Sequence, residues 1–456
     1  MPRSFPTRRS FLKQLSLSVA AAPFAVRGLR AQAEQKIRHA TFGTSGQALA
    51  DVNEIAGHPA VEIVAGCDVD ERNTAKFREK YPNARIYADF RELLEKEKDL
   101  HTVNVSTPDH MHGAIGATAL RRGLHVYGQK PLTHDLYEAR KLTELARSQK
   151  LVTQMGIQIH SSKEYRTAVK LVHDGAIGKV KEVHTWSRKT WGGDQGPLPP
   201  PSPIPTGLNW YLWIGRCEDR PYIGDGWYHP GNWRKRVDFG TGTFGDMGCH
   251  IFDPVFGALA LTAPISVRSE GAAPSEHSWA TNAVIHYVFP GTQYTEGETV
   301  NVTWYDGSER PPDEIKALAE VGTMKNGEPA KVPGEGSIII GTAGAMVIPH
   351  IDMPRLVGDG VKDIQITPEP GSNHWHQFID AVLGKGEATA NFDYAGPLTE
   401  AVLLGSVATR FPKTTLNWDG PGLKFTNVEE ANRYVRRNCR KGWEDWEVTK
   451  PLVAAL

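Results

Sequence analysis

The 456-residue chain has no excess charge of either sign: 52 lysines and arginines balance 52 aspartates and glutamates. Nucleic-acid binders usually carry a basic excess, and acidic disordered chains the reverse, so the balance argues against both. Cysteine is scarce. Cys67, Cys217, Cys249 and Cys439 lie far apart with no C-x-x-C, which gives neither a zinc signature nor a dense disulfide framework. Long apolar runs are missing too. No stretch reaches the roughly 20 apolar residues that a membrane helix needs. There is no internal repeat and no low-complexity tract. What remains is ordinary for a folded protein, with 40% hydrophobic and 23% charged residues. Glycine (45) and proline (31) are plentiful enough to predict many loops, and the length suits two or three domains.

The neutral total hides an uneven distribution. Residues 1–33 hold six basic residues (Arg3, Arg8, Arg9, Lys13, Arg27, Arg30) and no acid, so the remaining chain is acidic by six charges. Within that leader, Thr7-Arg8-Arg9-Ser10-Phe11-Leu12-Lys13 matches the twin-arginine export signal. A mildly apolar stretch, Leu15 to Val26, follows, and Ala31-Gln32-Ala33 supplies a small-residue cleavage site. An amphipathic first helix is the plainer alternative. The expectation is a removed signal at 1–33, a periplasmic or extracytoplasmic destination and no stable membrane span. That route carries folded proteins, which favours a cofactor inserted beforehand and held tightly.

From Lys36 to about Met155, β-rich runs alternate with helical patterns. Candidate strands are Ile37–Phe42, Val61–Cys67, Ala84–Tyr87, His101–Ser106, Leu124–Tyr127 and Leu151–Gln154, with helices such as Glu71–Tyr81, His110–Arg122 and Leu136–Ser148 between them. The alternation predicts a doubly wound parallel sheet, a Rossmann domain over 34–156. Thr41-Phe42-Gly43-Thr44-Ser45-Gly46 stands at the first strand-to-helix turn. It keeps the second and third glycines of the dinucleotide fingerprint and replaces the first with Thr41, which must then make the tight turn. Asp68 ends the second strand 22 residues beyond Gly46, about where an acid meets the adenosine ribose 2′-OH. Its charge favours NAD, although nearby Arg72 keeps NADP possible. A helix N-cap is the competing role for Asp68, and the two can coexist. Ser106-Thr107-Pro108, followed by His112, leads from the fourth strand into a helix. Gln129-Lys130-Pro131 ends the fifth strand, at the sheet edge where ligands bind. Taken alone, Lys130 reads as a surface lysine.

The ordered set Gly43-x-x-Gly46, Cys67-Asp68, Ser106-Thr107-Pro108-x-x-x-His112 and Gln129-Lys130-Pro131 resembles the Gfo/Idh/MocA oxidoreductases. The usual tripeptide of that family is Glu-Lys-Pro, so Gln129 departs from it. The segment Gly240-Thr241-Gly242-Thr243-Phe244-Gly245-Asp246-Met247-Gly248-Cys249-His250 is similar to the family's glycine-rich lead into Asp-x-Gly-x-His. Phe392 to Glu400 looks like the late helix that the family packs against its second domain. The resemblance implies cofactor contacts at Gly43, Thr44, Ser45, Gly46, Asp68, Ser106, Thr107, Pro108, His112, Gln129 and Lys130. It also implies a catalytic group of Lys130, Asp246 and His250.

Asp246 and His250 are four apart and share one face if the segment is helical. Oxidising a sugar hydroxyl needs a base near neutrality, which histidine supplies without tuning. His250 is therefore read as proton acceptor, Lys130 as electrostatic partner at the reacting oxygen, and Asp246 as the orienting or substrate-binding carboxylate. Exchanging the roles of Lys130 and His250 stays open. So does a capping aspartate beside a core histidine. No third ligand marks a metal site.

Six of the 12 tryptophans (Trp186, Trp191, Trp210, Trp213, Trp227, Trp233) fall within 48 residues that also hold a proline-rich loop. Aromatic faces suit sugar C–H surfaces, but about four of the six read as core. His229, Asn232, Trp233 and Arg234 are placed at the pocket rim. Gln158, His160, Lys163 and Tyr165 are weaker substrate candidates.

The rest predicts an α+β second domain over 157–440 with a largely antiparallel open sheet and a tail at 441–456. Lys181–Ser187, Asn282–Phe289 and Ser337–Ile340 read as strands, and Ser308 to Gly336 as an insertion or long loop. By analogy with the family, a dimer or tetramer is expected, with a carbohydrate or cyclitol as partner. The leading function is an exported NAD-dependent oxidoreductase acting on a sugar, sugar derivative, cyclitol or glycoside. The alternatives are an NAD-dependent glycosidase working through a transient keto-sugar and a catalytically silent carbohydrate-binding protein.

Overall fold

The computed structural model describes residues 36–323 and 327–444. The expected leader and most of the expected tail lie outside the described residues. Six strands, β1 (Ile37–Phe42), β2 (Val61–Cys67), β3 (Arg85–Tyr87), β4 (Thr102–Val105), β5 (His125–Gly128) and β6 (Thr153–Met155), form a parallel sheet in the order 3-2-1-4-5-6. β4 is buried along its whole length and β1 at all but one residue, as expected for a parallel sheet covered on both faces by helices. The order in which strands are added reverses between the parallel neighbours β1 and β4, so their carboxyl ends open the crevice where a dinucleotide binds. The expected helix Glu71–Tyr81 begins as a 3-10 turn, Glu71–Thr74, and continues as an α-helix only over Ala75–Lys80. The cap of that turn is Asp70, whose carboxylate accepts from the Arg72 N–H, and not Asp68.

A nine-stranded mixed sheet builds the second domain. Its members are β7 (Val180–Ser187), β8 (Ser266–Ser269), β9 (Val284–Pro290), β10 (Thr299–Asp306), β11 (Gly336–Gly341), β12 (Ala345–Pro349), β13 (Arg355–Val357), β14 (Thr415–Asp419) and β15 (Lys424–Phe425), in the order 13-12-11-7-10-9-8-14-15. All described pairings are antiparallel except β7 with β10. A parallel pair needs a long crossover. Here the whole segment from Arg188 through the hairpin of β8 and β9 separates the two strands. The expected long loop at 308–336 contains a short helix, Asp313–Ala319.

The helix Phe392–Ala408 joins the halves. Asn391 caps it by accepting from the Tyr394 N–H. One side packs on the helix Leu136–Gln149 of the first domain and the other on the second domain. Arg140 grips Glu400 through two bonds of 2.7 Å, and the Tyr287 hydroxyl donates to the Ala401 carbonyl at 2.8 Å. A single hydrophobic core runs from Phe42 and Val103 through Leu398 and Val402 to Tyr287 and Trp304. Expected as a helix of the second domain, this element buttresses both.

Between β7 and the helix Gly242–Ile251, the chain makes an excursion over 188–240. It folds around its own aromatic cluster, including Trp210, Trp213, Tyr228, Trp233 and Phe239. The excursion docks on the first domain through Glu71 N–H to the Gly207 carbonyl (2.8 Å) and Asn209 N–H to the Val69 carbonyl (2.8 Å). His229 Nε2 lies 2.8 Å from an Asp70 oxygen, adding a side-chain link. Trp186, Trp210, Trp213 and Trp233 are buried, in line with the four of six expected in the core. No helix among the described residues is long and apolar enough to cross a membrane.

Candidate functional site

A cleft of ≈ 420 Å³ opens at the carboxyl ends of β1, β2 and β4. Gly43 (φ 98°) and Gly46 (φ 55°) form its floor in backbone conformations that favour glycine. A Cβ on Gly43 would sit 2.7 Å from both the Ala48 Cβ and the Ser106 carbonyl oxygen, so the loop keeps a cradle open against the backbone. Thr41 does not make the turn. It stays within β1, paired with Gly66 and Asn104, and its hydroxyl donates to the Gly43 carbonyl at 2.8 Å.

Among the expected cofactor residues, Gly43, Ser45, Gly46, Asp68, Ser106, Thr107, Pro108, His112, Gln129 and Lys130 line the cleft. Thr44 does not. It is fully buried, and its N–H and hydroxyl donate to one Asp68 oxygen at 3.0 and 2.9 Å, fixing that carboxylate from behind. Burial raises the Asp68 pKa, although these bonds oppose the shift. His112 ties the Ser-Thr-Pro loop to the next one, with its two ring nitrogens 2.7 Å from the Thr107 carbonyl and 2.8 Å from the Pro131 carbonyl.

Gln129 reaches toward Asp51 on the helix Gln47–Ala56. Its side-chain N–H donates to Asp51 at 2.9 Å, and its carbonyl accepts from the Lys130 N–H at 3.1 Å. Gln47, Ser106 and Trp375 also donate to Asp51. Burial still raises the pKa of this carboxyl, as no cation stands beside it in these contacts.

Lys130 connects the cleft with the helix Gly242–Ile251. Its Nζ donates to Asp246 Oδ1 (2.6 Å) and to the Asp246 carbonyl (2.7 Å). Arg234 Nε reaches the same Oδ1 at 3.1 Å, and Trp191 Nε1 donates to Oδ2 at 2.8 Å. Burial alone would raise the Asp246 pKa, but Lys130 and Arg234 outweigh it and hold the carboxyl far below its ordinary value. Asp246 thus acts as a fixed anion that positions two cations.

One turn along the same helix, His250 is buried, and its Nδ1 has no hydrogen-bond partner. Burial, reinforced by Lys130 and His350, lowers its pKa well below the ordinary histidine value, so the imidazole is neutral at pH 7. The His350 ring, just past the end of β12, lies 5.5 Å away and accepts or donates a bond with the Tyr165 hydroxyl at 3.0 Å. Asp246 and His250 do not themselves line the cleft, whereas Lys130, Trp233 and Arg234 do. Arg234 stacks on Trp233 with 4.3 Å between guanidinium and ring.

The four weaker candidates, Gln158, His160, Lys163 and Tyr165, do not line the cleft, and neither does Asn232, which was expected at its rim. His160 Nδ1 bonds Asp253 at 2.8 Å, within a network that includes the Tyr394 hydroxyl. Gln158 opens the neighbouring 3-10 turn, and neither residue lines the cleft. Lys163 is an exposed helix residue, and Asn232 braces its own loop by donating to the Gly226 carbonyl at 2.8 Å. His229 meets the cleft, as expected for the rim. The sequence reading missed Trp191, Asp51, His350 and Trp443. Only Trp191, within the tryptophan-rich stretch, carried a signal. The other three depend on contacts between distant segments.

The residues present fit a dinucleotide. The glycine cradle admits a backbone-hugging pyrophosphate, Asp68 stands where ribose hydroxyls are recognised, and Trp443 lines the cleft with its buried Nε1 lacking a partner. Comparison with known proteins agrees. Residues 37–157 match the NAD-binding Rossmann fold of the Gfo/Idh/MocA oxidoreductase family, and residues 164–313 match that family's C-terminal alpha/beta domain. A levoglucosan dehydrogenase from Pseudarthrobacter phenanthrenivorans is 22% identical over 267 residues, covering 58% of this chain and 55% of that protein. An inositol 2-dehydrogenase from Salmonella typhimurium is 26% identical over 134 residues, 29% of this chain and 39% of its own. The chain therefore spans about half or less of the length of these curated relatives. Among solved structures, the WlbA dehydrogenase of Chromobacterium violaceum, in complex with NADH and UDP-GlcNAcA, shares the fold. Its TM-score is 0.60 at 14% identity, over 85% of this chain and 97% of that one.

Proposed function

The chain belongs to the Gfo/Idh/MocA family of oxidoreductases, with that family's NAD-binding Rossmann domain at its front, and on that premise we propose that it oxidises a hydroxyl-bearing carbon of a sugar, sugar derivative, cyclitol or glycoside with an NAD that stays bound. The observation that carries this reading is the position of Lys130, which lines the cofactor cleft and reaches Asp246 at 2.6 Å, one helical turn from His250. Levoglucosan and inositol, named for two relatives, are the substrate chemistry that supports it.

When bound, NAD accepts the hydride from the substrate carbon. The residues handle the proton and the oxygen. His250, held neutral by burial, takes the hydroxyl proton. Lys130 donates to the oxygen as it becomes a carbonyl, and Asp246 fixes the direction of the ammonium. Arg234, on the same carboxylate and on the face of Trp233, positions the substrate rim.

The leader supports export of the folded protein. Outside the cytoplasm no soluble NAD pool would recycle the cofactor, so the hydride must return to a second substrate or to the same molecule. The second route, with an elimination between the two transfers, cleaves a glycosidic bond. The test is a dialysed preparation challenged with sugars, cyclitols and aryl glycosides while nicotinamide fluorescence is followed. Bound nicotinamide that is reduced by one class supports the reading, and release of aglycone assigns the cleaving route. Cofactor-free protein with only millimolar NAD affinity overturns retention. Conversion of the leader pair Arg8 and Arg9 to lysine is expected to leave the protein in the cytoplasm, and unchanged export would contradict the export reading.

A further inference from the structure

Residues 435–444 run up to the cofactor cleft. After the turn Glu429–Tyr434, the chain crosses from the second domain to the first, with the Tyr137 N–H donating to the Val435 carbonyl at 2.9 Å. Trp443 then inserts beside the loop after β3, sharing that end of the cleft with Asp68, Ala88, Asp89 and Phe90. Its ring lies 6.3 Å from Phe90, and the Arg91 guanidinium covers it at 4.9 Å. Trp443 is fully buried, yet its indole N–H has no partner. A buried donor left unpaired is costly, and a ligand acceptor can satisfy it.

The same segment grips the excursion that roofs the rest of the cleft. The Arg440 N–H donates to the Arg216 carbonyl at 2.9 Å, and its guanidinium donates to the Tyr211 carbonyl at 3.0 Å. That guanidinium also lies 4.3 Å from the Tyr211 ring. Tyr211 in turn lies 6.2 Å from Trp443. Leu212 and Trp213, the next two residues, line the cleft. One strap therefore binds the roof to the Rossmann domain at the end where Asp68 marks the adenosine ribose.

We propose that Trp443 is the adenosine-end wall of the dinucleotide site, and that residues 435–444 form a clasp setting how long the dinucleotide stays bound. This rests on the NAD reading above and deepens it by naming the residues responsible for retention. The indole N–H donates to an acceptor on the adenosine half, and the Arg440 contacts hold the indole in place. The contacts that hold Trp443 and Arg440 go to Phe90, Arg91, Tyr211 and Arg216, so the clasp is assigned to residence and not to hydride transfer.

The experiment is calorimetric titration of the full chain, stripped of nucleotide, with ADP-ribose and with nicotinamide mononucleotide as separate probes. Trp443→Ala is expected to weaken ADP-ribose binding about tenfold or more and to speed NADH release by a similar factor, with mononucleotide binding unchanged. Trp443→Phe keeps a ring but loses the N–H and gives a smaller loss confined to ADP-ribose, which tests the clasp even if the alanine variant does not fold. Unchanged ADP-ribose affinity in both variants overturns the clasp. So does an equal loss for both probes, which would make Trp443 a structural residue only. A parent chain that itself binds ADP-ribose only at millimolar concentration overturns the retained-NAD reading, and the clasp with it.

Discussion

Gln129 replaces the glutamate usual in the family, and Asp51 gives the physical reason. A glutamate at 129 would bring a second carboxylate to the place where the amide now donates to Asp51 at 2.9 Å. Burial already raises the Asp51 pKa above its ordinary value, so the folded chain holds that proton more tightly than the unfolded chain. Its contribution to stability is therefore greatest at acid pH and is lost as pH climbs from the ordinary carboxyl range through the raised value. Gln129→Glu is expected to cost about 2 kcal/mol near pH 8 and less near pH 5, nearer the range in which the raised Asp51 carboxyl takes up a proton. Asp51→Asn in the same chain should restore most of it, and thermal unfolding at the two pH values checks both. His250 carries the opposite sign. Burial, then Lys130 and His350, depress its pKa, so it remains a competent base as pH falls through 6.5. The acid limb of kcat is expected below that point, and His250→Ala should lower kcat by about 10²–10⁴ with NAD affinity retained. The glycines, Asp68 and Lys130 were legible because each sits within a local motif. Asp51 was not, because its meaning comes from Gln129, Ser106 and Trp375 on other segments.

At the level of elements, the parallel strands were legible to within a residue or two in most cases, because buried runs such as Val61–Cys67 leave few alternatives. The Asp246 and His250 spacing likewise forecast one helical face, and both lie on the helix Gly242–Ile251. The direction of β7 against β10 was not legible, since it depends on what the intervening crossover packs against. Nor was the double duty of the helix Phe392–Ala408. Where it meets the helix Leu136–Gln149, Gly396 leaves no room for a side chain against Thr143. Gly396→Val should therefore force the helices apart and cost about 1–3 kcal/mol. Chemical denaturation would read this as a lower midpoint. An unchanged midpoint would mean that the two domains are not joined through this contact.

Across the whole molecule, the balanced charge, the few cysteines and the length pointed to a folded protein of two or three domains. The twin-arginine motif of the leader led to the expectation of a cofactor that travels with the chain. The covered cleft was out of reach of the sequence, because its roof comes from residues 188–240 and one wall from Trp443, and both form only in the assembled fold. The central claim is that held NAD takes hydride from a sugar-type carbon while Lys130, Asp246 and His250 manage the oxygen and its proton. The most direct measurement is mass analysis of the dinucleotide recovered by rapid quench, before the hydride can return, after the dialysed protein is mixed with a substrate deuterated at its hydroxyl-bearing carbons. The account predicts deuterium in the recovered nicotinamide of the parent, and little or none with Lys130→Ala or His250→Ala. A substrate that binds the parent but leaves its dinucleotide without deuterium would contradict it.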